Sequence, residues 1–448
     1  MQHIQTSLGR VPLLAALLTA SAAAPGQEAS PEWNADFGIE ARMHYRDSES
    51  TRVPVNFPFT PDMLPPGESQ GFMETVEPGG HFEVSLVSFI ANIGHGERFL
   101  AHARVDFIDR HERNPTSGDR KVDVDQLWLR WGREIMPALP DEGFDGYLKL
   151  GKFQKFERQD DRHLESYGLV STAFNRLEDL GAEFGLDLGG NFYLKGSITQ
   201  GNPLFIRDPN ALAGDNGIEA LLGPNPDPEL KTGIPILYDA EIEGLDFDGD
   251  PELGAAAGYR WADDSGQRAF DLMLFGYRGE LQETASLKGT FYGGDLDLLR
   301  GPANQFPYPG LDGDDREEYG LNARAYLGDL SLFGQYVDQE LAGLPRSGVE
   351  IEAAWSFDLP LIWAYDGQQM FSRIQPAMRF SRLDNDFANP DVTPFPSGAW
   401  DWEKIDIGVR LTILPGLDLT AEYADNRMFA SAGTIDNDEW LLTLRWRP

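Results

Sequence analysis

The sequence predicts an all-β protein, a transmembrane antiparallel β-barrel of about 16 strands, with about 18 as the other count, short periplasmic turns and long extracellular loops. Three observations carry this. The first residues have the order of a secretory leader, apolar and polar side chains then alternate with a period of two to the end of the chain, and the connections fall into two length classes.

In the leader, Arg10 precedes the apolar run Val11, Leu13, Leu14, Ala15, Ala16, Leu17 and Leu18, and Ala20, Ser21 and Ala22 supply an A-x-A cleavage site. Residues 1–22 are therefore expected to be a signal peptide and residues 23–448 the barrel. Beyond the leader no run approaches the ~20 apolar residues a membrane helix needs. The chain sets 37 Lys and Arg against 73 Asp and Glu, a formal charge of −36, which argues against nucleic acid as a partner. With no cysteine there is no disulfide framework, thiolate metal site or Cys nucleophile.

The first strand is expected over residues 36–47, where Phe37, Ile39, Ala41, Met43 and Tyr45 alternate with Gly38, Glu40, Arg42, His44 and Arg46. One face is apolar and the other charged, and the length suits the ~9–11 residues of a tilted membrane strand. The same alternation recurs at 99–107, 180–186, 192–198, 253–261, 270–274, 319–325, 330–336 and 349–357. At the C-terminus, strands at 405–413, 417–423 and 440–446 form a meander whose first turn is Leu414, Pro415 and Gly416. Weaker alternation marks 81–93, 122–131, 147–153, 236–247, 286–298 and 374–380. All of these together give eighteen strands, and setting aside 236–247 and 286–298 gives sixteen. Either count is even and returns the C-terminus to the periplasm.

Short turns at 94–97, 189–191, 328–329 and 414–416 are expected in the periplasm, and long loops at 48–80, 156–178, 201–235, 301–316 and 385–401 outside. Tyr45, Trp128, Trp131, Tyr147, Trp261, Trp355, Trp440 and Trp446 stand near strand ends, where a membrane barrel carries aromatic girdles and a soluble protein carries core aromatics.

The stretch 147–185, YLKLGKFQKFERQDDRHLESYGLVSTAFNRLEDLGAEFG, resembles the phosphate-selective porin family (porin O and P type) of Gram-negative outer membranes. The likeness rests on Gly151, Lys152 and Phe153 ending a strand and Asp179, Leu180 and Gly181 opening the next, with similar strands at 124–131 and in the terminal DEWLLTLRWR. It implies a sixteen-stranded barrel, usually trimeric, with an aqueous pore narrowed by inward-folded loops and lined by basic residues that select anions such as phosphate.

Lys149, Lys152, Lys155 and Arg158 form the densest basic cluster, and Lys149 opposes Leu148 and Leu150 across the strand. Arg104 and Arg130 oppose apolar neighbours in the same way. These six, with the acids Glu350 and Glu352, are the candidate pore-lining residues. The bases either attract anions to the lumen or pair with luminal acids such as Asp106, Glu350 or Glu352 and keep the wall polar. Two acidic runs, Asp246, Asp248, Asp250 and Glu252, then Asp312, Asp314, Asp315, Glu317 and Glu318, lack the full EF-hand spacing, so they read as acidic turns and no metal is assigned.

The seven histidines show no H-E-x-x-H spacing and no G-x-S-x-G turn occurs, so no catalytic residue and no cofactor is assigned. The expected protein is an outer-membrane porin that passes small hydrophilic solutes or ions passively, its partners being outer-membrane lipid and those solutes, with a homotrimer as what the resemblance implies. One alternative is a secreted acidic all-β protein whose Asp-rich loops bind calcium or glycans. Another is a barrel with a lipid-directed enzymatic site, a lumen-edge Ser near His44 or His102.

Overall fold

A computed structural model of the chain describes residues 32–49, 52–55, 71–74, 79–108, 122–135, 144–159, 162–174, 178–201, 241–242, 251–280, 285–286, 315–386, 400–430 and 433–448. The sequence alternation becomes strands in chain order: β1 (Trp33–Ser48), β2 (Gly79–His95), β3 (Phe99–Ile108), β4 (Val122–Gly132), β5 (Phe144–Phe153), β6 (Asp179–Leu188), β7 (Phe192–Thr199) and β8 (Glu252–Ala262). They continue as β9 (Arg268–Glu280), β10 (Asp315–Leu327), β11 (Leu330–Leu341), β12 (Leu344–Trp355), β13 (Arg373–Asn385), β14 (Asp401–Leu414), β15 (Leu417–Ala430) and β16 (Glu439–Trp446).

Each strand pairs antiparallel with the next, and β16 pairs with β1 from Ala41↔Trp446 to Ser48↔Glu439, which closes a 16-strand barrel. Closure leaves no unpaired edge among these strands. All sixteen correspond to strands read from the alternation. Of the two stretches set aside, only Glu241–Ile242 and Ser286 fall among the described residues, and Glu241–Ile242 pairs with Ala285–Ser286 outside the barrel. Phe357–Asp358 prolongs β12 against β13, and Gly433–Asp436 runs against β15 just before β16.

Burial is the reverse of that in a water-soluble barrel. Along β16, Glu439, Leu441, Thr443 and Arg445 are buried while Trp440, Leu442 and Trp446 are exposed. On β12, Glu350 and Glu352 are buried while Ile351 and Trp355 are exposed. The inward face carries charge and the outward face carries Leu, Ile, Phe and Trp, as a bilayer requires of strands that present one face to lipid.

Turn chemistry sets the register at one end. Gly416, at φ 78, turns β14 into β15 in a left-handed conformation that a side chain would strain. The two-class rule for connections holds less strictly than the sequence suggested. At the long-loop end, β11 and β12 are joined only by Ala342 and Gly343, both at positive φ, and Leu341, Ala342 and Leu344 are buried there. At the short-turn end, residues 356–372 link β12 to β13 and hold a small hairpin, Trp363–Tyr365 with Gln368–Met370. Hairpin length follows local φ preference and packing, which period-two alternation does not report.

The acidic run at 312–318 also changes character: Asp315, Glu317 and Glu318 lie in β10 instead of a turn, and Glu252 opens β8, while residues 246–250 and 312–314 lie outside the described residues.

Candidate functional site

The site is the barrel lumen and the segment that enters it between β5 and β6. The strand bounds fall at Phe153 and Asp179, where the sequence placed them, and most described residues between are buried inside the barrel. The segment follows the inner wall. Lys155 Nζ lies 2.7 Å from Glu252 Oε1 and 3.9 Å from the centre of the Tyr277 ring. Gln335 Nε2 donates to the Glu157 carbonyl at 3.1 Å and Arg324 to the Arg158 carbonyl at 3.1 Å. His163 places Nδ1 2.9 Å from Glu352 Oε1 and Nε2 3.2 Å from Ser331 Oγ.

Past His163 the segment reaches the strands that close the barrel. Glu165 Oε1 lies 3.1 Å from Arg410 Nη2 and 3.2 Å from Arg445 Nη1, and its Oε2 lies 3.7 Å from Arg42 Nη1. The amides of Glu165 and Ser166 both donate to the Glu422 carboxylate. Ser166 also donates from Oγ to Asp406 at 3.1 Å and accepts from Arg379 at 2.9 Å. Lys404 Nζ donates to the Tyr167 carbonyl at 2.8 Å. A single helical turn, α1 (Leu169–Ala173), then packs on β11 to β14, with its carbonyl end capped by Arg346 at 2.9 Å.

Gly168 fits this path because it has no side chain: a Cβ there would run into the Glu350 carboxylate, which is wholly buried. Arg379 lies 2.8 Å from Asp406 and 3.6 Å from Glu352, so these two carboxylates share one cation. Buried charges are tolerated only with such partners.

Two acids on the segment titrate in opposite directions. Burial raises the Glu157 carboxyl and nearby Glu318 adds to it; Lys155 and the hydroxyl of Tyr277 pull the other way, and the result is a pKa pushed up to about 7. Burial would raise Glu165 as well, but Arg42, Arg445, Arg410 and Arg162 outweigh it and hold the group at about 2. The contrast is the number of cations in reach.

The facing wall, on β2 to β6, holds a second group of bases. Arg104 bonds Asp106 at 2.9 Å and Lys149 bonds Glu134 and Glu183 at 3.1 Å each. Arg130 pairs with Glu134. Arg104 and Arg130 keep 22% and 15% of their side-chain surface exposed. Glu134 lies just past β4; burial acts to raise it, and Lys149, Arg130 and Lys195 bring it down to about 2.

Of the eight candidates, Arg104, Arg130 and Lys149 point inward on the wall, and Arg158 lies in the segment, paired with Glu178. The others need correction. Lys152 has the outward parity of Leu148 and Leu150, is paired across the sheet with Leu127 and Leu180, and donates to the Val124 carbonyl at 2.7 Å. A spacing of three from Lys149 reverses the face of a strand. Glu350 and Glu352 lie beneath the inserted segment instead of on an open lumen, and Lys155 is on the segment itself, buried against Glu252 on the wall. Among the girdle aromatics, Trp128 and Tyr147 are inward and buried, Trp128 stacked on His102 at 4.8 Å, while Trp131, Trp261, Trp355, Trp440 and Trp446 are exposed on the outward face. Of the two histidines considered with a serine, His44 places Nδ1 2.7 Å from Thr443 Oγ1 and His102 places Nδ1 2.8 Å from Asn92 Oδ1.

Sequence reasoning missed Arg42, Arg379, Arg410 and Arg445. The signal was present: each sits between apolar neighbours on a strand, as in Met378-Arg379-Phe380 and Leu444-Arg445-Trp446, the same pattern that singled out Arg104.

No family model and no curated protein matches the chain. Among solved structures, OprB of Pseudomonas putida is similar at a TM-score of 0.50 and 9% identity, over 92% of this chain and 94% of that one. The outer membrane channel DcaP of Acinetobacter baumannii gives a TM-score of 0.48 at 9% identity, over 93% of this chain and 97% of that one. An anion-selective porin from Comamonas acidovorans gives 0.44 at 10%, over 93% of this chain and all of that one, 100%. At these identities the likeness is one of fold.

Proposed function

We propose that the chain is an outer-membrane porin that lets small hydrophilic solutes or ions diffuse passively through its lumen. One observation carries this: in a closed 16-strand barrel the apolar side chains face out and the charged ones face in. A barrel of that size encloses enough space for a channel. The inserted segment narrows it, and the charges on the facing wall shape the potential along the remaining path. Anions are the solutes we favour, phosphate among them. Support for that comes from Arg104 and Arg130, part-exposed on the facing wall, and from the likeness of residues 147–185 to phosphate-selective porins. Export by cleavage of residues 1–22, residence in the outer membrane and assembly as a homotrimer complete the proposal.

The test is single-channel recording of detergent-purified mature protein in a planar bilayer under a KCl gradient. Discrete steps with a reversal potential of anion-selective sign are expected. Well-folded protein that stays silent would overturn the channel, and a cation-selective potential would overturn the anion preference alone.

A further inference from the structure

The guanidinium cluster at the barrel closure has an occupant that does not belong to the wall. Arg42, Arg410 and Arg445 project from β1, β14 and β16 and converge on one carboxylate, that of Glu165, which the inserted segment delivers. Wall acids serve two of these arginines from the side: Glu40 accepts from Arg42 at 2.6 Å and Asp418 from Arg445 at 3.3 Å. Donor capacity is left over. Arg445 Nε and Arg162 Nη1 are buried with no acceptor among the described residues, and Arg162 stacks on Tyr167 at 4.1 Å beside them. The three wall arginines keep 10–16% of their side-chain surface exposed, so the lumen reaches them.

The segment does not need the Glu165 side chain to stay in place. Its amides at 165 and 166 are held by Glu422, Ser166 is held by Arg379 and Asp406, and the Tyr167 carbonyl by Lys404. Rotation of one side chain would vacate the guanidiniums and leave the backbone where it is.

We propose that Arg42, Arg410 and Arg445 form a carboxylate-binding station in the lumen, held in reserve by Glu165 and taken over by the carboxylate of a passing solute. Planar guanidiniums with several donors each match a carboxylate in shape as well as charge, and the occupant already shows which anion fits. A solute competes with a tethered group whose effective concentration is in the millimolar range or above, so affinity for it is low and exchange is fast. Low affinity with fast release is what passage requires. The inference rests on the channel reading but is tested apart from it.

The experiment is calorimetric titration of the detergent-solubilised full-length mature protein with succinate. Glu165→Gln is expected to bind succinate about tenfold or more tightly than wild type, and adding Arg445→Gln to that variant is expected to abolish the gain. Folding of each variant is checked by heat-modifiable gel mobility, with Glu165→Ser as the substitute if Gln fails it. Equal affinity of wild type and variant would overturn the station, as would a gain that survives Arg445→Gln. Tighter binding of inorganic phosphate than of succinate by the variant would overturn the carboxylate assignment. Silence in the planar bilayer with this binding intact would sink the channel and leave the station standing.

Discussion

At the scale of single residues the molecule depends on charges that cannot be separated. Arg379 is wholly buried, with Asp406 at 2.8 Å, Glu352 at 3.6 Å and Ser166 at 2.9 Å around it. Arg379→Met leaves two buried carboxylates short of a cation, and thermal unfolding followed by heat-modifiable mobility should show a loss of about 3–5 kcal/mol. Glu157 sets a pH dependence of the opposite kind. Its folded pKa near 7 lies above the ordinary glutamate value of 4.5, so the folded protein holds that proton more tightly than the unfolded chain. The stability it contributes is full below about pH 4.5 and is lost as pH rises towards 7. Glu157→Gln should flatten thermal stability across that window, and a slope unchanged from wild type would assign it to another group.

At the scale of elements, two features face opposite solvents and are probed by opposite changes. The outward faces answer to lipid. Ile407, exposed near the middle of β14, should cost ~2–4 kcal/mol when replaced by Arg if β14 spans a bilayer. Urea unfolding of the variant in lipid vesicles measures this, and a neutral result would argue that β14 faces water. The inserted segment answers to the lumen. Gly168→Val puts a side chain where the buried Glu350 carboxylate lies, which should displace α1 and the turn before it from β12 and β13. A rise in single-channel conductance with barrel mobility intact is the expected sign. The strands were legible to the sequence at this scale because each carries its own two-residue code, and all sixteen were placed. The segment was legible only as a long loop between Phe153 and Asp179, since nothing in its own residues states which strands it will lie against.

At the scale of the whole molecule the deciding quantity is where charge sits relative to the path. The formal charge of −36 belongs to the entire chain, and charges far from the narrowest point are screened beyond ~8 Å at physiological salt. The bases on the facing wall and at the barrel closure should then govern ion preference. Reversal potentials measured at rising KCl are expected to shrink as the screening length falls to ~3 Å at 1 M. A preference independent of salt would mean that size or specific binding selects instead.

What the sequence determined by itself was the class of fold and the face that each strand turns outward, because strand parity is local and repeats every two residues, while it left the count between sixteen and eighteen. Lys152 and Trp128 were misplaced where proximity in sequence to a luminal lysine or a strand end was read ahead of parity, which assigns both correctly. Only the tertiary structure decided that Glu350, Glu352 and Lys155 are covered, and that Arg42, Arg410 and Arg445 meet on Glu165. The Glu165 contacts join residues that lie more than a hundred positions apart, and they exist only once the barrel has closed and the segment after β5 has turned inward.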